Sequence, residues 1–161
     1  MDLIANGLGR IIDNEIGRNK FDKILGVPTA GVPFTTIVCQ KLSIPMLYYR
    51  KERKEHGVRK KIEGKMEKND RILMIDDLIT TGKSVIQAAE AAREQGGMVT
   101  ELVVLLDREQ GGREFILSNN IRPHVLFTVS DAFEWLNEVK MLSDDNYKVI
   151  MDYINEENKL I

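Results

Sequence analysis

Apolar residues along this chain follow two rhythms. Between Asp2 and Gly17, Leu3, Ile4, Leu8, Ile11, Ile12 and Ile16 recur at the spacing of one helical face. FDKILGV (21–27) is instead a compact apolar run closed by PTAG, and IPMLYYR (44–50) and RILMID (71–76) are of the same kind, so all three predict strands. Residues 32–43 are helix-like. KSVIQAAEAAREQGG (83–97) predicts an Ala-rich helix stopped by Gly96 and Gly97. VTELVVLLD (99–107) and HVLFTVS (124–130) predict further strands. AFEWLNEV and DDNYKVIMDYINEEN predict terminal helices, capped by Ser130 or Asp131 and by Ser143 respectively. Tyr48 and Tyr49 fall on opposite faces of their strand, which puts one of them in the core, and Trp135 reads as core packing.

Strands alternating with helices of about a dozen residues mean βαβ units and a parallel sheet. Continuous apolar runs such as ILMI and LVVLL fit strands covered on both faces. The expected fold is therefore α/β: a doubly wound, mostly parallel sheet of about five strands flanked by helices, in one domain over 1–161. Such sheets bind ligands beyond the carboxyl ends of their strands. Three polar loops lie there, PTAG, DDLITTG and DREQGG, and right-handed crossovers bring them to one rim.

Composition narrows the setting. A formal charge of −2 gives no general bias toward nucleic acid or a membrane surface. No apolar run approaches the roughly 20 residues that span a bilayer. The N-terminus shows no basic region followed by an apolar core, so a cytoplasmic protein is expected. The single Cys39, in an apolar stretch, reads as a buried structural thiol. His124 also reads as structural.

The chemistry concentrates in ILMIDDLITTGKS (72–84). Gly82, with Thr80, Thr81 and Ser84 around it, lies between a strand and a helix N-terminus, where unpaired N–H groups and the helix dipole favour an anion. GKS is not part of a nucleotide P-loop, because that pattern requires glycine at position 77 and aspartate stands there. Asp76 and Asp77 add acceptors suited to vicinal hydroxyls. Phosphate at one end and a diol at the other describe a ribose 5-phosphate.

These thirteen residues resemble the phosphoribosyl diphosphate (PRPP) signature of type I phosphoribosyltransferases. GVPTAGVPF (26–34) is similar to the pyrophosphate loop of the orotate phosphoribosyltransferases. RKERKEHG (50–57) resembles their mobile catalytic loop, and LLDREQGG (105–112) resembles their stretch ending in a base-contacting arginine. The resemblance covers about residues 20 to 136 in order.

It implies that Asp76 and Asp77 contact the ribose hydroxyls, with Thr80, Thr81, Gly82, Lys83 and Ser84 around the 5-phosphate. Thr29, Ala30 and Gly31 would form the pyrophosphate and Mg²⁺ loop. Arg50, Lys51, Lys54 and His56 would engage pyrophosphate from a mobile loop over about 51–65, reaching the site of a neighbouring subunit in a homodimer. Arg108 would pair with orotate. No cluster has the spacing of a protein metal cage, so Mg²⁺ would arrive largely with PRPP.

Charge supports the loop independently. Residues 50–68 carry nine Lys or Arg against four Glu and show no aliphatic periodicity, so the segment is expected not to pack. Cations near a departing pyrophosphate act most strongly in the transition state.

Two departures from the family pattern stand out. Ala30 replaces a lysine found in some members, and the N-terminal hood that covers the base is expected to be missing, Met1 then matching an internal methionine. A phosphoribosyltransferase acting on another base and a non-catalytic nucleotide-sensing regulator of the same fold are the alternative functions.

Overall fold

The computed structural model of the chain describes residues 2–50 and 61–159. Six strands form one sheet in the order β3-β2-β1-β4-β5-β6. Their ranges are β1 Lys23–Gly26, β2 Met46–Tyr49, β3 Ile62–Glu63, β4 Arg71–Ile79, β5 Met98–Asp107 and β6 Arg122–Thr128. All neighbouring pairs are parallel except β2 with β3. Helices α1 (Asp2–Ile11), α2 (Gly31–Leu42), α3 (Lys83–Glu94), α4 (Gly112–Ser118), α5 (Val129–Glu138) and α6 (Asp144–Lys159) complete the order.

The two faces of the sheet bury separate cores. Leu25, Met74, Leu102 and Val104 face α3 and α4, packing on Val85, Ala88, Ala89 and Ile116. Ile24, Leu73, Ile75 and Val103 face α1 and α2, packing on Leu8, Ile12, Val38 and Cys39. The strict alternation along β4 is the period of an extended chain, and each fully buried aliphatic side chain stabilises by about 1.5–3 kcal/mol. One extra residue, Thr100, interrupts β5, since Ile72 pairs with Val99 but Leu73 pairs with Glu101.

Several expectations change. A sixth strand appears because Tyr49 and Tyr48 pair antiparallel with Ile62 and Glu63. Ile62 is buried and Met66 packs on the core, so the part of the basic segment beyond residue 60 does pack. β4 runs on to Ile79, which places both Asp76 and Asp77 inside the strand rather than at its predicted end and in the loop after it. Continued pairing of Leu78 with Leu106 and of Ile79 with Asp107 holds them there.

α1 passes into a π-helical turn over Ile12–Ile16, and α4 occupies a stretch with no predicted element. The cap of α5 is Thr128, not Ser130 or Asp131. Its hydroxyl accepts from the Asp131 N–H at 3.0 Å while the Asp131 carboxylate accepts from the Thr128 N–H at 2.8 Å, a reciprocal capping box. Ser143 does cap α6, accepting from the Asn146 N–H at 3.3 Å.

Trp135 is 58% exposed, against the expected core role, because nothing in the described residues covers that face of α5. Tyr49 is the buried tyrosine of its pair. His124 is buried as expected, with Nδ1 2.7 Å from Glu15 and Nε2 2.8 Å from Glu101, tying the π-helical turn to β5.

Candidate active site

Three loops meet at the carboxyl ends of β1, β4 and β5. The first two are drawn together by hydrogen bonding and by glycine. The Val27 N–H donates to the Ile75 carbonyl at 3.0 Å, continuing the β1–β4 ladder into the PTAG turn. At the start of α2, a β-carbon on Gly31 would stand 2.9 Å from Asp76 Oδ1 and from the Ile75 carbonyl oxygen, so only glycine lets the turn lie against the acid. Thr29 and Ala30 are exposed beside it, and the Pro28–Thr29 peptide is cis.

The third loop closes on the second in the same way. Gly112 sits so near the Thr80 carbonyl that a side chain there would overlap it, and a β-carbon on Gly82 would lie 3.0 Å from the Gly112 carbonyl oxygen. The Arg108 N–H donates to the Ile79 carbonyl at 3.0 Å. PTAG, DDLITTG and DREQGG therefore share one rim, as the topology predicts.

Within that rim Asp76 is 4% exposed, and its Oδ1 accepts from the Asp77 N–H at 2.9 Å. Asp77 is half-buried, and its carboxylate has no partner among the described residues. Thr80 and Ser84 are half-buried, Thr81 and Lys83 are exposed, and Gly82 caps α3 with a positive φ of 73° and no side-chain cap. The first N–H groups of α3 are thus left for an anion, with three hydroxyls and one ammonium nearby.

Arg108 projects as an exposed side chain from the third loop, with no hydrogen-bond or ion-pair partner among the described residues. The structure therefore brings together Thr29, Ala30, Gly31, Asp76, Asp77, Thr80, Thr81, Gly82, Lys83, Ser84 and Arg108.

The remaining predicted residues divide differently. Arg50 lies at the end of β2, its guanidinium donating to Tyr48 Oη at 3.1 Å and pairing with Glu63 at 3.0 Å. Lys51, Lys54 and His56 lie outside the described residues. Sequence reasoning passed over Asp107, Glu109 and Gly112. Asp107 is buried at the end of β5, and desolvation pushes its carboxyl above the usual carboxylate range. The Gly111-Gly112 pair was a visible sign of a tight crossing at this point.

A parallel sheet whose central strand presents two acids before a hydroxyl-rich turn at a helix N-terminus is the architecture of the type I phosphoribosyltransferases. Comparison with known proteins agrees: the phosphoribosyl transferase domain family matches residues 2–143. The chain is 37% identical over 153 residues to an orotate phosphoribosyltransferase of Sulfolobus acidocaldarius, covering 95% of this chain and 77% of that one. It is 39% identical over 136 residues to the uridine 5′-monophosphate synthase of Bos taurus, covering 84% of this chain but only 28% of the bovine protein.

Among solved structures, the orotate phosphoribosyltransferase of Aeropyrum pernix superimposes with a TM-score of 0.75 at 30% identity, over 84% of this chain and 75% of that one. This chain belongs to the phosphoribosyltransferase family, within its orotate phosphoribosyltransferase branch.

Proposed function

We propose that the chain transfers ribose 5-phosphate from PRPP to N1 of orotate, giving orotidine 5′-monophosphate and pyrophosphate, a step of de novo pyrimidine (UMP) synthesis. The observation that carries this reading is the unpartnered Asp77 carboxylate lying a few residues before the uncapped N-terminus of α3, with the unpaired Arg108 on the next loop. An acid pair for a diol, an anion cradle and a cation for an anionic base occupy one rim.

In this reading Asp76 and Asp77 hold the ribose hydroxyls. Thr80, Thr81, Ser84, Lys83 and the N–H groups following Gly82 hold the 5-phosphate. Thr29, Ala30 and Gly31 flank the pyrophosphate, and Arg108 meets the orotate anion. The C1′–oxygen bond to pyrophosphate breaks as the C1′–N1 bond forms, and N1 releases its proton. Positive charge grows on the sugar while negative charge grows on the leaving group. Asp76 and Asp77 sit beside the first; Lys51, Lys54 and His56 would serve the second, with Arg50 joining them if it exchanges Glu63 for pyrophosphate.

Mg²⁺ fits this site as a companion of the substrate. Among the described residues no group of three or more His, Cys, Asp or Glu could hold a metal by itself, yet Asp76 and Asp77 supply two carboxylates beside the place for PRPP. When bound there, the ion would neutralise charge on the pyrophosphate. The working unit would be a cytoplasmic homodimer in which the loop of one copy reaches the site of the other. Among the described residues no helix is long and apolar enough to cross a membrane.

An orotate-depletion assay with PRPP and Mg²⁺, followed by absorbance, tests the proposal. Turnover dependent on both additions supports it. Turnover of uracil or a purine in place of orotate would reassign the base. Salt-sensitive RNA binding without any turnover would favour a regulator of the same fold.

A further inference from the structure

The loop that carries Arg108 is pinned on both sides of that residue. Before it, Asp107 ends β5 in a buried position. At it, the Arg108 N–H bonds to the Ile79 carbonyl. After it, Glu109 adopts a positive φ of 56°, a left-handed conformation that costs a side-chain-bearing residue about 1–2 kcal/mol.

Two sets of contacts hold Glu109 there. Its N–H donates to Asp107 Oδ1 at 2.8 Å. Its Oε2 accepts from the Ser130 N–H at 2.9 Å and from the Ser130 hydroxyl at 2.6 Å. Ser130 lies in the first turn of α5, where a carboxylate is favoured by the free N–H groups and the helix dipole. One carboxylate oxygen therefore joins the rim loop to a helix 21 residues further along the chain.

We infer that Glu109, braced by Ser130, is a positioning residue that presets Arg108 for the anionic base. The inference rests on the function proposed above and deepens it. The Arg108 guanidinium has no partner among the described residues, so its direction is set by the backbone that carries it. A guanidinium whose backbone is fixed in advance loses less freedom when its ligand arrives. The phosphate turn is held by other contacts, through Gly82 and Gly112, so loss of the Glu109 brace should be felt by the base and not by PRPP.

Steady-state kinetics of Glu109→Ala, Glu109→Gln and Ser130→Ala, with each substrate varied in turn, provide the test. Glu109→Ala should raise the KM for orotate about tenfold, the equivalent of one good charge-assisted hydrogen bond, while the KM for PRPP stays within about twofold. Glu109→Gln should recover much of the loss, because its amide oxygen still accepts. Ser130→Ala, which keeps the backbone donor and perturbs folding least, should show the same selectivity at smaller amplitude.

A lowered melting temperature with an unchanged orotate KM would make Glu109 a helix cap only and overturn the inference. An equal rise in both KM values would overturn it as general distortion. Failure of the unsubstituted protein to use orotate would sink the proposed function itself, whereas turnover with unshifted variants sinks this inference alone.

Discussion

Gly112 lies with its Cα against the carbonyl oxygen of Thr80, leaving no room for a β-carbon. The neighbour is backbone of the phosphate turn and cannot rotate aside. Gly112→Ala should therefore cost about 1–3 kcal/mol of stability as an overpacking substitution, and the displaced turn should bind PRPP more weakly. Chemical denaturation with calorimetric PRPP titration measures both. Wild-type values in both would show that the two loops are not in contact.

Asp77 offers a cleaner probe than Asp76, because its carboxylate has no partner among the described residues that folding depends on. A hydrogen bond to a charged group is worth about 1.5–3 kcal/mol, so Asp77→Asn should weaken PRPP affinity by roughly 10- to 100-fold with little change in stability. Unchanged calorimetric affinity would remove Asp77 from the site.

Lys51 should behave differently. If it acts on the leaving group, Lys51→Ala lowers kcat more than PRPP affinity, since the interaction strengthens only as pyrophosphate departs. Equal losses in turnover and in calorimetric affinity would assign it to ground-state binding instead.

Far from the site, Arg71 donates to both oxygens of Asp22 at 2.7 and 3.0 Å, and the pair holds the Asp22 carboxyl down at about 2, from an ordinary 3.8. The folded value lies below the unfolded one, so this contribution to stability is complete above about pH 4 and is lost as pH falls through about 2. The pair is well exposed and the effect small. Buried Asp107 titrates with the opposite sign, which is why the informative quantity is the difference between wild type and Asp22→Asn. That difference in urea midpoint should be present at pH 5 and shrink toward pH 2. A constant difference would show that the pair does not titrate as a unit.

The single cysteine and the single tryptophan report on packing. Burial pushes the Cys39 thiol up to about 12, so it should resist a disulfide reagent until the chain unfolds. Trp135, being 58% exposed, should be quenched readily by iodide in the native protein. Rapid labelling of Cys39 or a shielded Trp135 would contradict the packing described.

The strands buried on both faces were legible because burial leaves an unbroken aliphatic run, as in ILMI and LVVLL. Their parallel order then located the rim. What stayed hidden depends on partners distant in sequence. Asp76 looks like the last residue of its strand and Asp77 like a loop residue until β5 is seen to pair beyond them. Ile62–Glu63 is a strand only because β2 offers an edge. Trp135 sits on an apolar helix stripe, and a stripe tells which residues are apolar without telling whether anything lies opposite. Glu109 and Ser130, in separate elements, give no local signal at all.

The ladder between β2 and β3 closes at the Arg50 N–H, which bonds to the Lys61 carbonyl at 2.8 Å. Arg50 and Lys61, eleven positions apart in the chain, are therefore neighbours in space at the carboxyl end of β2. The two-residue edge strand thus gathers both flanks of the basic segment to one point of the sheet, beside the end of β2.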